Sequence, residues 1–381
     1  MNRIRILIQV LCFVCCGYAG ENRIAMETCA DVEYTFDGVV GDRIRGNIDN
    51  WLKRAPTDNP GMLEMFELRD SMPRLHLLPW SGEFAGTYLL SGALTLRMSE
   101  DPELKRVLTE FFDRFIDLQS EDGYLGVFPK DQRLIGHTYW DPEGQHGHWD
   151  LWSQFSLLYA LLTWSEITGD ERGLQAAVDG ADFICHTFLN GDAEFIDAGF
   201  PSQNSTLAYP LLRLYRKTDN SRYLRLAEKI ITDYPLGGEF VEKALQGIDY
   251  YQIRNGGGHW GSLHFLRAVA EYYCLTGESQ YKQAFLHHWD SINRTDVHNT
   301  GAFSTSEHAV GNPYQDGAIE TCCTVAWMFM TIDALRLTGD PRFADALEHA
   351  LLNAMAGSQH PSGEWWTYMT QMDGRKYPSW V

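Results

Sequence analysis

Residues 148–170 read HWDLWSQFSLLYALLTWSEITGD, and their pattern decides the fold. Trp152, Phe155, Leu158, Leu161 and Leu162 recur at intervals of three and four, the signature of a helix with a wide apolar arc. The run stops at Thr168-Gly169-Asp170, and a second, more amphipathic stretch follows. Turns of the same type return at Thr218-Asp219-Asn220, Thr276-Gly277-Glu278 and Thr338-Gly339-Asp340, with Ser99-Glu100-Asp101 as a degenerate first copy. Their spacings are 69, 50, 58 and 62 residues, so the repeating unit is a helical hairpin. Asp101-Pro102 and Asp340-Pro341 each put a capping acid before a proline at the first helical position.

The first helix of each pair is apolar over a broader arc than the second (Leu263, Leu266, Val269 and Tyr273 in another copy), which suits an inner layer sheathed by amphipathic partners. An all-α (α/α)6-type toroid with about five hairpins present is therefore expected. An open solenoid is the alternative. Connections within pairs are tight, whereas those between pairs, 119–150, 187–206, 234–262, 293–318 and the tail from 357, are long. In a ring they gather on one face, where chemistry is to be sought. The first connection alone carries Asp122, Tyr124, Phe128, His137, Tyr139, Trp140, His146, His148, Trp149 and Asp150. Rings beside carboxylates and imidazoles suit a carbohydrate, whose C–H face stacks while its hydroxyls bond. Each of these rings would equally serve to pack a loop.

Residues 1–20 run from Arg3 and Arg5 through an apolar stretch to Gly17-Tyr18-Ala19-Gly20, the order of a secretory signal. The stretch is too short for the roughly 20 residues of a membrane span. Export to the periplasm or the exterior is expected, with residues 21–381 forming the helical domain; an uncleaved anchor is the alternative. Loss of the leader takes the formal charge from −20 to −22, which speaks against nucleic acid or an anionic membrane as partner. Five cysteines then stay: Cys29, Cys185, Cys274, Cys322 and Cys323. An odd, scattered set is no disulfide framework, so the adjacent Cys322-Cys323 calls for burial or a metal.

From Gly301 the chain reads GAFSTSEHAVGNPYQDGAIETCCTVAWMFMTIDALRL. A polar loop holding Glu307 runs into a helix beginning near Glu320. Glu320 and Cys322, two apart at a helix start, can aim at one ion and would be half of a zinc site. Taken alone, the same residues would pass as a buried helix face.

Seven blocks in order resemble the β-L-arabinofuranosidase family, glycoside hydrolase family 127 and its close relatives. They are GDRIRGN (41–47), WSGEFAGTYLLSGAL (80–94), DLQSEDGYLGVFP (117–129), HWDLWSQFSLLYALLTWSEITGD (148–170), GGHWGSLHFLRAVAEYYCLTGE (257–278), the ETCC segment and ALEHALLNAMAG (346–357). The resemblance implies a retaining glycosidase that releases non-reducing-end β-L-arabinofuranose, or a related sugar, from plant-type glycans. In that scheme a zinc-bound cysteine thiolate attacks and a glutamic acid protonates the leaving oxygen. It implies Glu307 as acid/base, Glu320 and Cys322 as ligands of Zn2+, and His259 and Tyr368 as sugar contacts. The family's nucleophile is an adjacent cysteine pair following the tyrosine strand, expected beyond Val381 together with a β-sandwich region. Cys323 is the minority candidate within the chain.

At Ser156, arabinofuranosidases of the family tend to carry a sugar-binding histidine. Asp150, Trp152 and Gln154 are the neighbours expected to compensate, the first two as substrate contacts. His287-His288 is expected to be structural or solvent-facing. Two other readings stand beside the first: a non-catalytic sugar-binding homologue, and a metal-independent toroid glycosidase or lyase using Glu83, Asp122 or Asp150.

Overall fold

The computed structural model describes residues 23–27, 32, 34–135, 149–191, 193–198, 201–233, 237–253, 260–371 and 375–378. The expected leader, residues 1–20, and Cys29, His259, His137, Tyr139, Trp140, His146 and His148 lie outside them. Five helical hairpins are present among the described residues, as the turn spacing predicts. Each pairs an inner with an outer helix: Glu83–Met98 with Pro102–Asp117, Asp150–Thr168 with Glu171–Cys185, Ala208–Thr218 with Ser221–Thr232, Trp260–Thr276 with Ser279–Thr295, and Thr321–Thr338 with Pro341–His349.

One hydroxyl explains why each turn opens with Thr or Ser. Thr168 Oγ1 donates back to Trp164 O (2.7 Å) and accepts from Asp170 N (3.2 Å). Thr218, Thr276 and Thr338 make the same pair of bonds. Ser99 keeps the forward bond, accepting from Asp101 N at 3.3 Å. The turning residue itself is left-handed, Gly169 at φ 74° and Asp219 at φ 55°, a conformation that side chains other than Asn and Asp rarely take. Asp101, Asp170, Asn220 and Asp340 then cap the outer helices through their side chains.

The second and fourth inner helices are buried nearly throughout: every residue from Asp150 to Trp164, and from Gly261 to Tyr272. The first and second inner helices approach so closely that a Cβ on Gly86 would lie 2.8 Å from the Ser156 carbonyl carbon. At the core of the ring Arg267 pairs with Asp333 (2.7 Å) and donates to Tyr209 Oη (2.8 Å), so this buried cation is both paired and hydrogen-bonded.

The gap between the fifth and first hairpins is filled from the chain's two flanks. Helix Gly38–Asn47 and the turn after it meet residues 359–366: Gln359 Nε2 donates to Arg43 O (3.0 Å), and Asn50 Nδ2 to Ser362 O (2.7 Å). Tyr88 of the first inner helix donates to Leu52 O at 2.7 Å and ties this segment onward. On the opposite face, Ala25 and Met26 bond Arg336 O, while Arg23 reaches Leu275 O at 2.6 Å, a cation on a helix C-terminus.

The described strands are β1 (Ala318–Glu320) and β2 (Met369–Gln371), antiparallel, with Glu320 opposite Met369. No helix among the described residues is long and apolar enough to cross a membrane.

Candidate active site

The first turns of four of the five inner helices line one cavity of about 470 Å³. Glu83 opens the first inner helix, Trp152 lies in the first turn of the second, Trp260 opens the fourth, and Cys322 is the second residue of the fifth. The long connections add Trp80, Trp149, Gln203 and Glu307, and the segment before β2 adds Tyr368. Converging helix N-termini favour negative charge, which helps to explain three glutamates around one cavity.

One part of the wall is indole. Trp152 and Trp260 meet at 4.4 Å between centroids, Trp149 and Trp152 at 6.2 Å, and Trp80 and Trp149 at 5.4 Å. Trp152 donates its indole N–H to Glu83. Burial pushes the Glu83 carboxyl up to about 7; the Trp152 bond opposes the shift and the Glu320 charge adds to it.

Across the cavity, Glu307 sits on a tight turn in which Thr305 and His308 exchange backbone bonds (2.9 and 3.1 Å). Ser304, Ser306 and Glu307 all have positive φ, at 132°, 50° and 71°. Three non-glycine residues so placed within four positions mark strain held by the surroundings. Gly317 permits it: a Cβ there would lie 2.6 Å from Thr305 Cγ2. Burial and the nearby Glu320 raise the Glu307 pKa, which favours its protonated, acid form.

Glu320 ends β1 and precedes the fifth inner helix, but its side chain does not cap that helix. It turns instead to the two thiols: Cys322 Sγ is 2.5 Å from Oε1 and Cys323 Sγ 2.6 Å from Oε2. Tyr368 also donates to Glu320 and lies 3.7 Å from Cys322 Sγ. Its place is fixed by Thr321 N donating to Tyr368 O at 2.8 Å. Burial is the first cause that raises both thiol pKa values, and Glu320 adds to it in each case. One carboxylate and two soft thiols, with ligand atoms within 4.8 Å of one another, form a donor set for a zinc-class cation, whose charge would reverse that penalty.

Of the residues singled out in the sequence, Glu307, Glu320, Cys322, Trp152 and Tyr368 line one cavity. Cys323 lies fully buried beneath it. Asp150 is placed elsewhere. It is enclosed, accepting from Tyr124 Oη (3.1 Å), Leu134 N (3.0 Å) and Gln154 Nε2 (3.2 Å), and so organises the first connection rather than facing a ligand among the described residues. Ser156 is buried where the first two inner helices touch, away from the described lining. His287 and His288 are structural, donating Nε2–H to Ile248 O (2.8 Å) and Phe240 O (2.7 Å). Trp80 and Trp260 were not anticipated, although each stands at the start of an inner helix or just before it.

A ring of parallel inner helices holding acids and thiols in an indole-walled cavity defines a helical toroid with a sugar-type pocket. The β-L-arabinofuranosidase GH127 catalytic domain matches residues 43–380, and the chain belongs to that family. It is 24% identical to the non-reducing end β-L-arabinofuranosidase of Bifidobacterium longum subsp. longum, over 75% of this chain and 47% of that protein. The chain thus spans about half the length of the curated relative it matches. The GH127 β-L-arabinofuranosidase of Geobacillus stearothermophilus T6 shares the fold, with a TM-score of 0.68 and 21% identity over 91% of this chain and 59% of that one. A second GH127 β-arabinofuranosidase superposes with a TM-score of 0.71 at 18% identity, over 91% and 57% of the two chains.

Proposed function

We propose that this domain carries the catalytic site of an exported, retaining β-L-arabinofuranosidase acting on arabinose-bearing plant-type glycans. The observation that carries the reading is that Glu307 and the Glu320–Cys322 pair open onto one indole-walled cavity. Glu307, its pKa raised, gives its proton to the glycosidic oxygen as the bond to the anomeric carbon breaks. Returning as a base, it takes a proton from the water that frees the sugar. Glu320, Cys322 and Cys323 would hold zinc, which when bound supplies a positive charge that keeps cysteine sulfur ionised. The attacking thiolate is assigned to the cysteine pair that the family carries after the tyrosine strand. The tryptophans stack the sugar ring and exclude water.

Release of L-arabinose from β-L-arabinofuranosides by the purified, zinc-loaded full-length protein tests the reading. Chelation should abolish the release and zinc restore it. No release from any β-L-arabinofuranoside would overturn the proposal, and turnover that survives exhaustive chelation would favour metal-independent chemistry.

A further inference from the structure

Glu83 is the half-buried carboxyl on the cavity wall to which the reaction above gives no task. Its Oε2 accepts from Trp152, and no described residue donates to Oε1. No lysine or arginine lines the described cavity. A half-buried carboxyl with an oxygen open to the cavity and no cation beside it has room for further hydrogen-bond donors. The cavity is where they must come from.

Rings stand on the same wall: Trp80 three residues before Glu83, Trp152 bonded to it, and Trp260 against Trp152. A ligand there meets indole faces and one fixed acceptor together. This combination fits a ring with an apolar face and hydroxyls at its edge. Glu307 stands on a different element, a strained loop turn, whereas Glu83 is on a helix with its carboxyl held by an indole.

We propose that Glu83 is the hydroxyl-binding anchor of this cavity, its Oε1 accepting from a ring hydroxyl of the bound sugar while Trp152 holds the carboxyl in register. The proposal rests on the reading of the cavity as a sugar site and adds a specificity-determining residue to it.

Glu83→Gln keeps the size of the side chain and leaves an oxygen for Trp152, but turns an amide N–H2 toward the cavity. A purely structural role would barely notice the change. Affinity is read calorimetrically with methyl β-L-arabinofuranoside and its monodeoxy analogues, alongside zinc content and melting temperature. Expected for Glu83→Gln is a loss of about tenfold or more in affinity, with zinc content unchanged. One deoxy analogue should show the same loss on the wild type and no further loss on the variant. Glu83→Asp, which keeps the charge but withdraws it by one methylene, should also weaken binding and stands in if the glutamine variant melts early. A wild type that binds, with both variants binding within about twofold of it, overturns the role of Glu83 alone. A wild type that takes up none of a panel of methyl arabinofuranosides, arabinopyranosides and galactosides overturns the sugar reading and the anchor with it. Zinc lost in step with sugar affinity would make Glu83 a support of the thiol cluster instead.

Discussion

Cys323 Sγ lies 2.6 Å from Glu320 Oε2, while the other oxygen of the same carboxylate faces Cys322. One glutamate thus gathers two adjacent thiols at the start of a helix, where backbone N–H groups oppose the penalty that burial sets on ionised sulfur. Cys322→Ser and Cys323→Ser should each lower zinc affinity by tenfold or more, on the order seen when metal sites lose supporting groups. Elemental analysis gives the stoichiometry, and the sulfur-to-metal absorption of the cobalt-substituted protein should weaken with each thiol removed. Full absorption in Cys323→Ser would take that residue off the donor set.

Glu307→Gln should slow hydrolysis of natural glycosides by a factor of roughly 10² to 10⁴, the usual worth of a positioned acid. Aryl glycosides with good leaving groups need less protonation and should suffer less. Equal losses on both substrate types would count against Glu307 as the acid.

Gly317→Ala addresses the strained turn without touching any proposed catalytic group. The added methyl would meet Thr305 Cγ2 at 2.6 Å and Ser306 Oγ at 2.8 Å. Shifting that turn misplaces Glu307, and kcat should fall by roughly 10²-fold, the scale of an ångström-level error in position. Zinc content should hold. Unchanged kcat would mean that the turn does not set the acid's position.

Asp150 predicts a pH effect on stability rather than on turnover. Burial raises its pKa from 3.8 to about 6, against the opposing bonds from Leu134, Gln154 and Tyr124. Its contribution is therefore full below pH 3.8 and is lost as pH rises through 6, because the unfolded chain ionises first. At about 1.4 kcal/mol per pKa unit the loss is on the order of 2–3 kcal/mol. Asp150→Asn should flatten the dependence of unfolding free energy on pH across that window, measured by urea titration. Curves of equal slope would refute the assignment.

The hairpin repeat was legible in the sequence because one hydroxyl and one capping acid recur at each turn, and local bonds leave local signals. Glu307, Glu320 and Cys322 were legible through the resemblance of their motif. Asp150 misled because an acid among aromatics reads alike whether it faces a ligand or ties a loop, and only the partners Tyr124 and Leu134 distinguish the two. Cys323 was hard to place because its donor role depends on how Glu320 turns away from capping its own helix. The indole wall of Trp80, Trp152 and Trp260 comes from two hairpins and the segment before a third, and no local pattern announces that they share a surface. The rule that would have found them is geometric: in a ring of parallel inner helices, residues at and just before the helix starts gather around the same opening.

The bond between Arg43 and Gln359 joins residues 316 positions apart. At about 5–20 residues per second of synthesis, roughly 16–63 seconds separate the appearance of its two ends. Until then the first hairpins wait with an apolar flank open, and contacts of such long range form late in folding. Under the proposed export the delay would be useful, because a ring that cannot close before its last hairpin is made is still a threadable chain when translocation begins.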